Sequence, residues 1–148
     1  MVPTLVEWFI TEWEPWYGSN GNGDAEADLA ECCDRDALPL CLVATDSSGT
    51  LLGSVALREN SVGSELGYGP WLAGLLVGPA YRGRGVASEL IAALEAEATR
   101  LGFKAIYSST DTAGSLLRRR GWMPAGSATS LRGDVTVFRC DLPGYAPD

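Results

Sequence analysis

The stretch Val77–Ile91, VGPAYRGRGVASELI, sets two glycines and two arginines between an apolar run and a helical pattern. The run before it, Trp71 to Val77 (WLAGLLV), is short, apolar and stopped by Gly78-Pro79, which is the pattern of a buried strand. Proline cannot donate to a ladder, so pairing ends there. From Val86 onward, apolar residues recur at Leu90, Ile91, Leu94, Ala98 and Leu101, the spacing of one helix face. Glu89, Glu95, Glu97 and Arg100 take mostly the other side, and Gly102 stands beyond as a stop. The predicted unit is strand, Gly/Arg loop, helix. A helix start carries unpaired N–H groups and partial positive charge. Gly83 and Gly85 let a ligand approach the backbone, and Arg82 and Arg84 add cationic donors. The unit therefore reads as an anion cradle suited to pyrophosphate. An ordinary glycine turn with surface arginines accounts for it less well, because a turn needs one glycine and no flanking cations.

Two familiar phosphate loops do not fit. A Walker A loop ends in Gly-Lys-Ser/Thr, and no lysine stands here. A dinucleotide fingerprint needs Gly or Ala where GRGVAS has Ser88, and an acidic residue about 20 positions on, where Lys104 stands. The pattern that does fit is Arg/Gln-x-x-Gly-x-Gly/Ala, met by Arg82, Gly85 and Ala87. With LLVGPAY before it, the stretch resembles the acetyl-CoA site of the GCN5-related N-acetyltransferase (GNAT) family. AIYSST (Ala105 to Thr110) resembles the family's next strand, and TAGSLLRRRGW (Thr112 to Trp122) its following helix and Gly-aromatic step. LPLCLVATDSSGTLLGSVAL (Leu38 to Leu57) resembles its early hairpin, so the likeness runs from about residue 38 to 141.

The resemblance implies an α/β fold, a central and mainly antiparallel mixed sheet flanked by helices, working as an acetyl-CoA-dependent N-acetyltransferase. In that family the strand before the loop splays from its neighbour and its backbone holds the pantetheine arm. Here that strand supplies Leu75, Leu76 and Val77, and the pyrophosphate falls on Gly83, Arg84, Gly85, Val86, Ala87 and Ser88, beside Arg82. The family's general acid is often a tyrosine four residues before the Gly-aromatic step. Leu117 holds that place, as a contact for CoA rather than a proton donor. A glutamate often begins the splayed strand, where this chain has Trp71. The chain has no histidine, so a histidine base is excluded. Glu65, Tyr68 and Asp111 remain as catalytic candidates, set against plain loop roles for the first two and a helix N-cap role for Asp111. A water chain from backbone carbonyls is a further route. Trp16 and Tyr17, where the family builds its acceptor site, and Trp71 are candidates for lining an acceptor pocket, set against packing roles. Arg118, Arg119 and Arg120 end a helix, where cations are favourable, and read either as surface charge or as contacts to a CoA phosphate. A non-catalytic CoA-binding module with the same fold is the alternative, and Leu117 is its support.

The 148 residues, 46% hydrophobic, suffice for one domain with a core. Net charge is -8 and the pI near 4.5, which disfavours nucleic acid as a partner and mildly suits a cationic acceptor such as an amine, set against simple solubility as the plainer reason. No apolar run nears the ~18 residues of a membrane span, and the acidic N-terminal stretch does not read as a signal peptide. Cys32, Cys33, Cys41 and Cys140 match no zinc spacing, so no metal is expected and a reduced, cytoplasmic setting is.

Along the chain, Pro3 to about Trp16 reads as a helix with Leu5, Phe9 and Trp13 on one face. A second helix runs from Asp24 to about Arg35 after the loop GSNGNG. Leu40–Thr45 and Leu51–Arg58 are strands joined by DSSG, followed by the loop Glu59–Pro70. The last helix is expected from Thr112. The last two strands are expected at about Met123–Ser130 and Val135–Cys140, with RGD (Arg132–Asp134) as their turn. Family members usually open with a strand before the first helix, and here the chain begins almost at that helix. The strand Leu40–Thr45 would then be an exposed edge, which is the ground for expecting a possible homodimer.

Overall fold

The computed structural model describes residues 2–13, 23–25, 38–110, 113–131 and 133–142. Helix α1 (Val2–Glu12) is followed by strands β1 (Leu40–Thr45), β2 (Leu51–Arg58) and β3 (Trp71–Val77). Helix α2 (Val86–Arg100), strand β4 (Ala105–Thr110), helix α3 (Gly114–Arg119) and the hairpin β5 (Met123–Ser130) and β6 (Gly133–Asp141) complete the described elements. The six strands form one sheet in the order β1-β2-β3-β4-β6-β5, with β1 at one edge. Every pairing is antiparallel except β3 with β4.

Alternation along each strand divides the apolar residues between the two faces. On one face, Val55, Leu57, Leu72, Ile106 and Phe138 join Val86, Leu90, Ile91, Leu94 and Ala98 of α2 and Leu117 of α3 in the main core. These α2 positions are the ones that helical spacing picked out. The other face is covered in two parts. Leu5 and Phe9 of α1 pack with Leu51 and Leu76, and Trp71, Ala105, Tyr107 and Val137 form a separate cluster. Within the second cluster, Tyr68 stacks flat on Tyr107, ring centroids 4.5 Å apart and 2° from parallel. The loop Glu59–Pro70 contains a 3₁₀ turn, Ser64–Leu66, and Gly63 sits against the Trp71 and Val137 side chains. No described helix is long and apolar enough to cross a membrane.

Three expectations change and one lies outside the described residues. The first helix is described to Glu12 rather than Trp16, and the second lies outside the described residues apart from Asp24 and Ala25. Helix α3 starts at Gly114 rather than Thr112, because the Thr110 hydroxyl accepts the Ala113 N–H at 2.8 Å and holds that residue at the capping position. Gly133 and Asp134 belong to β6, paired with Ser130 and Thr129, so the turn is tighter than the whole of RGD.

Candidate active site

The site begins with a defect in the sheet. β3 and β4 share one register pair, Trp71 with Tyr107, beside a hydrogen bond of 3.0 Å from the Tyr107 N–H to the Pro70 carbonyl. Beyond that point the two parallel strands part. The β3 edge that faces β4 therefore presents backbone N–H and C=O groups with no strand to pair them. On its other edge β3 is bulged. Gly74 and Leu75 together oppose Val55 of β2, since Ser54 pairs with Leu76 and Ala56 with Ala73. The result is a wedge, closed at Trp71–Tyr107 and widening toward Val77 and Thr110. Of the strand residues assigned to the pantetheine arm, Leu76 is buried beneath α1, while Leu75 and Val77 pack part-buried on the main core. Their backbone is what borders the wedge.

At the open end of the wedge the chain leaves β3 through Gly78, a 3₁₀ turn (Pro79–Tyr81) and the Gly/Arg loop. Gly83 and Gly85 have φ of +79° and +81°, a left-handed backbone that favours glycine. A Cβ added to either meets nothing within 4 Å, so the space over the loop is open. Gly85 caps α2 without a side chain, and the first helical bond runs from Glu89 N–H to the Gly85 carbonyl, 3.1 Å. The N–H groups of Val86, Ala87 and Ser88 are left without intrahelical acceptors at the positive end of the helix. Arg82 is exposed, with Nε donating to the Val77 carbonyl at 3.3 Å and Nη2 3.4 Å from Glu12 Oε2 on α1. Arg84 lies over the Tyr81 ring, 5.8 Å from its centroid. Open backbone donors, two arginines and an unpaired strand edge fit a ligand with a pyrophosphate at one end and an extended, amide-bearing arm, which is the shape of CoA.

Two contacts that sequence reading missed hold this loop. Gly78 lies so close to α1 that a Cβ there would stand 2.5 Å from the Trp8 ring. On the far side, Glu95 of α2 takes both Nε and Nη2 of Arg120, at 3.2 and 3.1 Å, and the Trp122 indole N–H at 3.0 Å. Arg120 also donates to Ser88 Oγ in the first turn of α2, 3.3 Å away. The Gly-Trp step is thereby tied to the cradle, and Arg120 is engaged inside the protein. Arg118 covers the Phe138 ring. Residues 20 or more apart in sequence make these pairs, and only charge at helix ends hinted at them.

The structure separates the other candidates. Tyr68 is brought to the closed end of the wedge against Tyr107, its hydroxyl donating to the Ala125 carbonyl at 3.4 Å. Tyr107 in turn accepts a hydrogen bond from Arg139 at 3.2 Å. Glu65 is exposed on the 3₁₀ turn. Trp71 is fully buried, its indole donating to the Tyr68 carbonyl at 3.0 Å, so it packs the floor of the aromatic cluster. Leu117 is buried in the main core at 1% exposure. Asp111, Trp16 and Tyr17 lie outside the described residues. Burial pushes the Cys140 thiol up to about 11, with Glu95 and Asp141 acting the same way, so this cysteine is a poor nucleophile.

Comparison with known proteins follows the same line. No curated protein sequence matches the chain. Among solved structures, an aminoglycoside 6'-N-acetyltransferase complexed with coenzyme A is similar at 15% identity and TM-score 0.76, over 99% of this chain and 93% of that one. A GNAT superfamily phosphinothricin acetyltransferase from Sinorhizobium meliloti, in complex with AcCoA, is similar at 17% identity and TM-score 0.74, over 99% and 86%. A GCN5-related N-acetyltransferase from Kribbella flavida is similar at 22% identity and TM-score 0.73, over 95% and 92%. At such identities the likeness carries the fold. The family itself comes from the sequence, where residues 2–122 match the model of the acetyltransferase (GNAT) family. With its splayed strands and open Gly/Arg cradle, this chain belongs to the GNAT acetyltransferase family.

Proposed function

We propose that the protein moves the acetyl group of acetyl-CoA directly to the amine nitrogen of a small molecule, in the cytoplasm. The observation that carries this reading is the wedge that opens from the single Trp71–Tyr107 pair into the Gly83–Ser88 cradle. Acetyl-CoA supplies an activated acyl group and a thiol leaving group. The chain's own residues bind and orient it. Backbone N–H groups at the head of α2, with Arg82 and Arg84, take the pyrophosphate, and the free edge of β3 along Leu75 to Val77 takes the amides of the arm. The buried end of the wedge excludes water from the thioester. Two of the similar structures are named for small molecules, an aminoglycoside and phosphinothricin, which supports a small-molecule acceptor. The net charge of -8 supports a cationic one, drawn in by long-range attraction. Tyr68 is the catalytic candidate placed at the closed end of the wedge, and an amine of modest basicity needs no stronger base.

A panel of amines, assayed by thiol release from acetyl-CoA, tests the reading. Turnover with any member supports it. Binding of acetyl-CoA with no turnover across the panel favours a non-catalytic CoA-binding module, to which the buried Leu117 in place of a tyrosine points.

A further inference from the structure

Direct acetyl transfer leaves negative charge on sulfur, and the residue at the family's tyrosine position, Leu117, has nothing to offer it. We propose that the Ser108 hydroxyl takes that role by donating a hydrogen bond to the CoA sulfur. The proposal rests on the acetyltransferase reading above.

Ser108 is the first residue of β4 beyond Tyr107, the one residue that β4 pairs with β3, so it stands where the wedge begins. Its side of the strand follows from alternation. Tyr107 points into the aromatic cluster with Trp71, whereas Ile106, two residues before Ser108, belongs to the core shared with α2 and α3. Phe138, opposite Ser108 on β6, and Leu117 lie in that same core. Ser108 is therefore on the helix side, the side of the phosphate cradle. The residue is 5% exposed, and no hydrogen bond ties its hydroxyl to another described side chain. Its oxygen is not sealed from solvent, unlike the unpartnered Ser54 Oγ, so a group entering the wedge can reach it.

Distance places the sulfur there. From Val77 to Leu72 is five residues of strand, about 17 Å. An arm anchored by its pyrophosphate at Gly83–Ser88 and drawn out along β3 ends at the closed end of the wedge, beside Ser108. In the reaction the amine nitrogen bonds to the acetyl carbon, the C–S bond breaks with its electron pair going to sulfur, and the nitrogen releases a proton to water. Sulfur takes a proton from water, so charge and atoms balance. Ser108 keeps its own proton throughout. It stabilises the charge as it forms, in a site dry enough for one hydrogen bond to matter.

The test needs no acceptor. The thiol of bound coenzyme A is titrated by thiolate ultraviolet absorbance, as the difference between protein saturated with coenzyme A and protein saturated with its desulfo analogue. The bound thiol should titrate below the free thiol. Ser108→Ala should raise the bound value by about one pH unit, the worth of one hydrogen bond to a charged group. Ser108→Thr keeps a hydroxyl and should restore most of the shift. Ser109→Ala, one residue along and on the opposite face, should leave the titration where it is. If the wild-type bound thiol titrates at or above the free one, the proposal is overturned, whatever the variants do. An unchanged value in Ser108→Ala overturns it too. If the wild-type protein fails to bind coenzyme A at all, it is the acetyltransferase reading that falls.

Discussion

Gly85→Ala separates the cradle's backbone from its arginines. At φ +81° an alanine is strained by about 1–2 kcal/mol, the cost of a left-handed backbone for an L residue. The added methyl touches nothing in the protein, since the space within 4 Å of it is empty, so strain is the whole cost to stability. Binding is another matter, because on the proposed function that space is where a phosphate comes to reach the N–H groups of Val86 and Ala87. Losing one charge-assisted hydrogen bond costs about 1.5–3 kcal/mol, so affinity for coenzyme A should fall roughly 10- to 150-fold. Strain is common to the free and bound states and cancels from that figure. Gly102→Ala is a matched control. It lies past the other end of the same helix, at φ +92°, with the same empty surroundings. Urea denaturation should show similar losses of stability for the two variants, and calorimetric titration should show weakened coenzyme A binding in Gly85→Ala alone. Equal affinity in the two variants would refute the cradle.

Leu117→Ala should cost about 2–5 kcal/mol of stability through the core and leave every ionisation of the pH–rate profile in place. A lost ionisation would mean that proton transfer passes through this position. The Cys140 thiol, ordinarily near 9.0, is held protonated by burial until about 11 in the folded protein. The unfolded chain therefore releases that proton first, and stability should fall as pH rises from about 9 to 11. Cys140→Ala should show a shallower fall over that window, and parallel urea-midpoint curves for the two proteins would count against the assignment. Finally, β1 is an edge strand without charge or proline, and its Val43 is 42% exposed. We propose pairing of two copies along it. Sedimentation at micromolar concentration should give twice the 15.7 kDa chain mass, weakened by Val43→Pro, and a clean monomer would reject it.

Much of the scaffold could be read from local pattern. WLAGLLV is a strand over the expected residues because Gly78-Pro79 ends it, and α2 buries the residues its 3.6-residue spacing selects. The bounds of β1 and β2 follow from apolar runs between turns in the same way, while β4 was placed by the family resemblance. The geometry of the Gly/Arg loop was readable for a similar reason, since a helix start, two glycines and two arginines are all contiguous. What escaped depends on neighbours distant in sequence. A continuous apolar run looks the same whether its first tryptophan lines a pocket or fills a core, and Trp71 is covered by Gly63 and Tyr107 from elsewhere in the chain. Glu95 has the spacing of a solvent-facing helix residue, yet Arg120 and Trp122 fold back onto it. Nor does any local signal show that the glycine in WLAGLLV is part of a bulge, because the bulge exists only against Val55 of β2.

The single Trp71–Tyr107 pair also says something about cooperativity. By backbone pairing alone the sheet is two three-stranded halves, β1-β2-β3 and β4-β6-β5, meeting at one joint. Helix α2 spans the joint, with contacts to β1, β2 and β3 on one side and to β4 on the other. A ligand lying in the crack and bonded along β3 substitutes for the pairing that the chain omits. On the proposed function it is substrate and keystone together. Saturating acetyl-CoA, at a hundred times its dissociation constant, adds about 2.7 kcal/mol to stability by mass action. That gain falls on the seam between the halves, so slowed amide exchange in the strands bordering it would record the enzyme closing into one body, and each release of coenzyme A would reopen the joint for the next cycle.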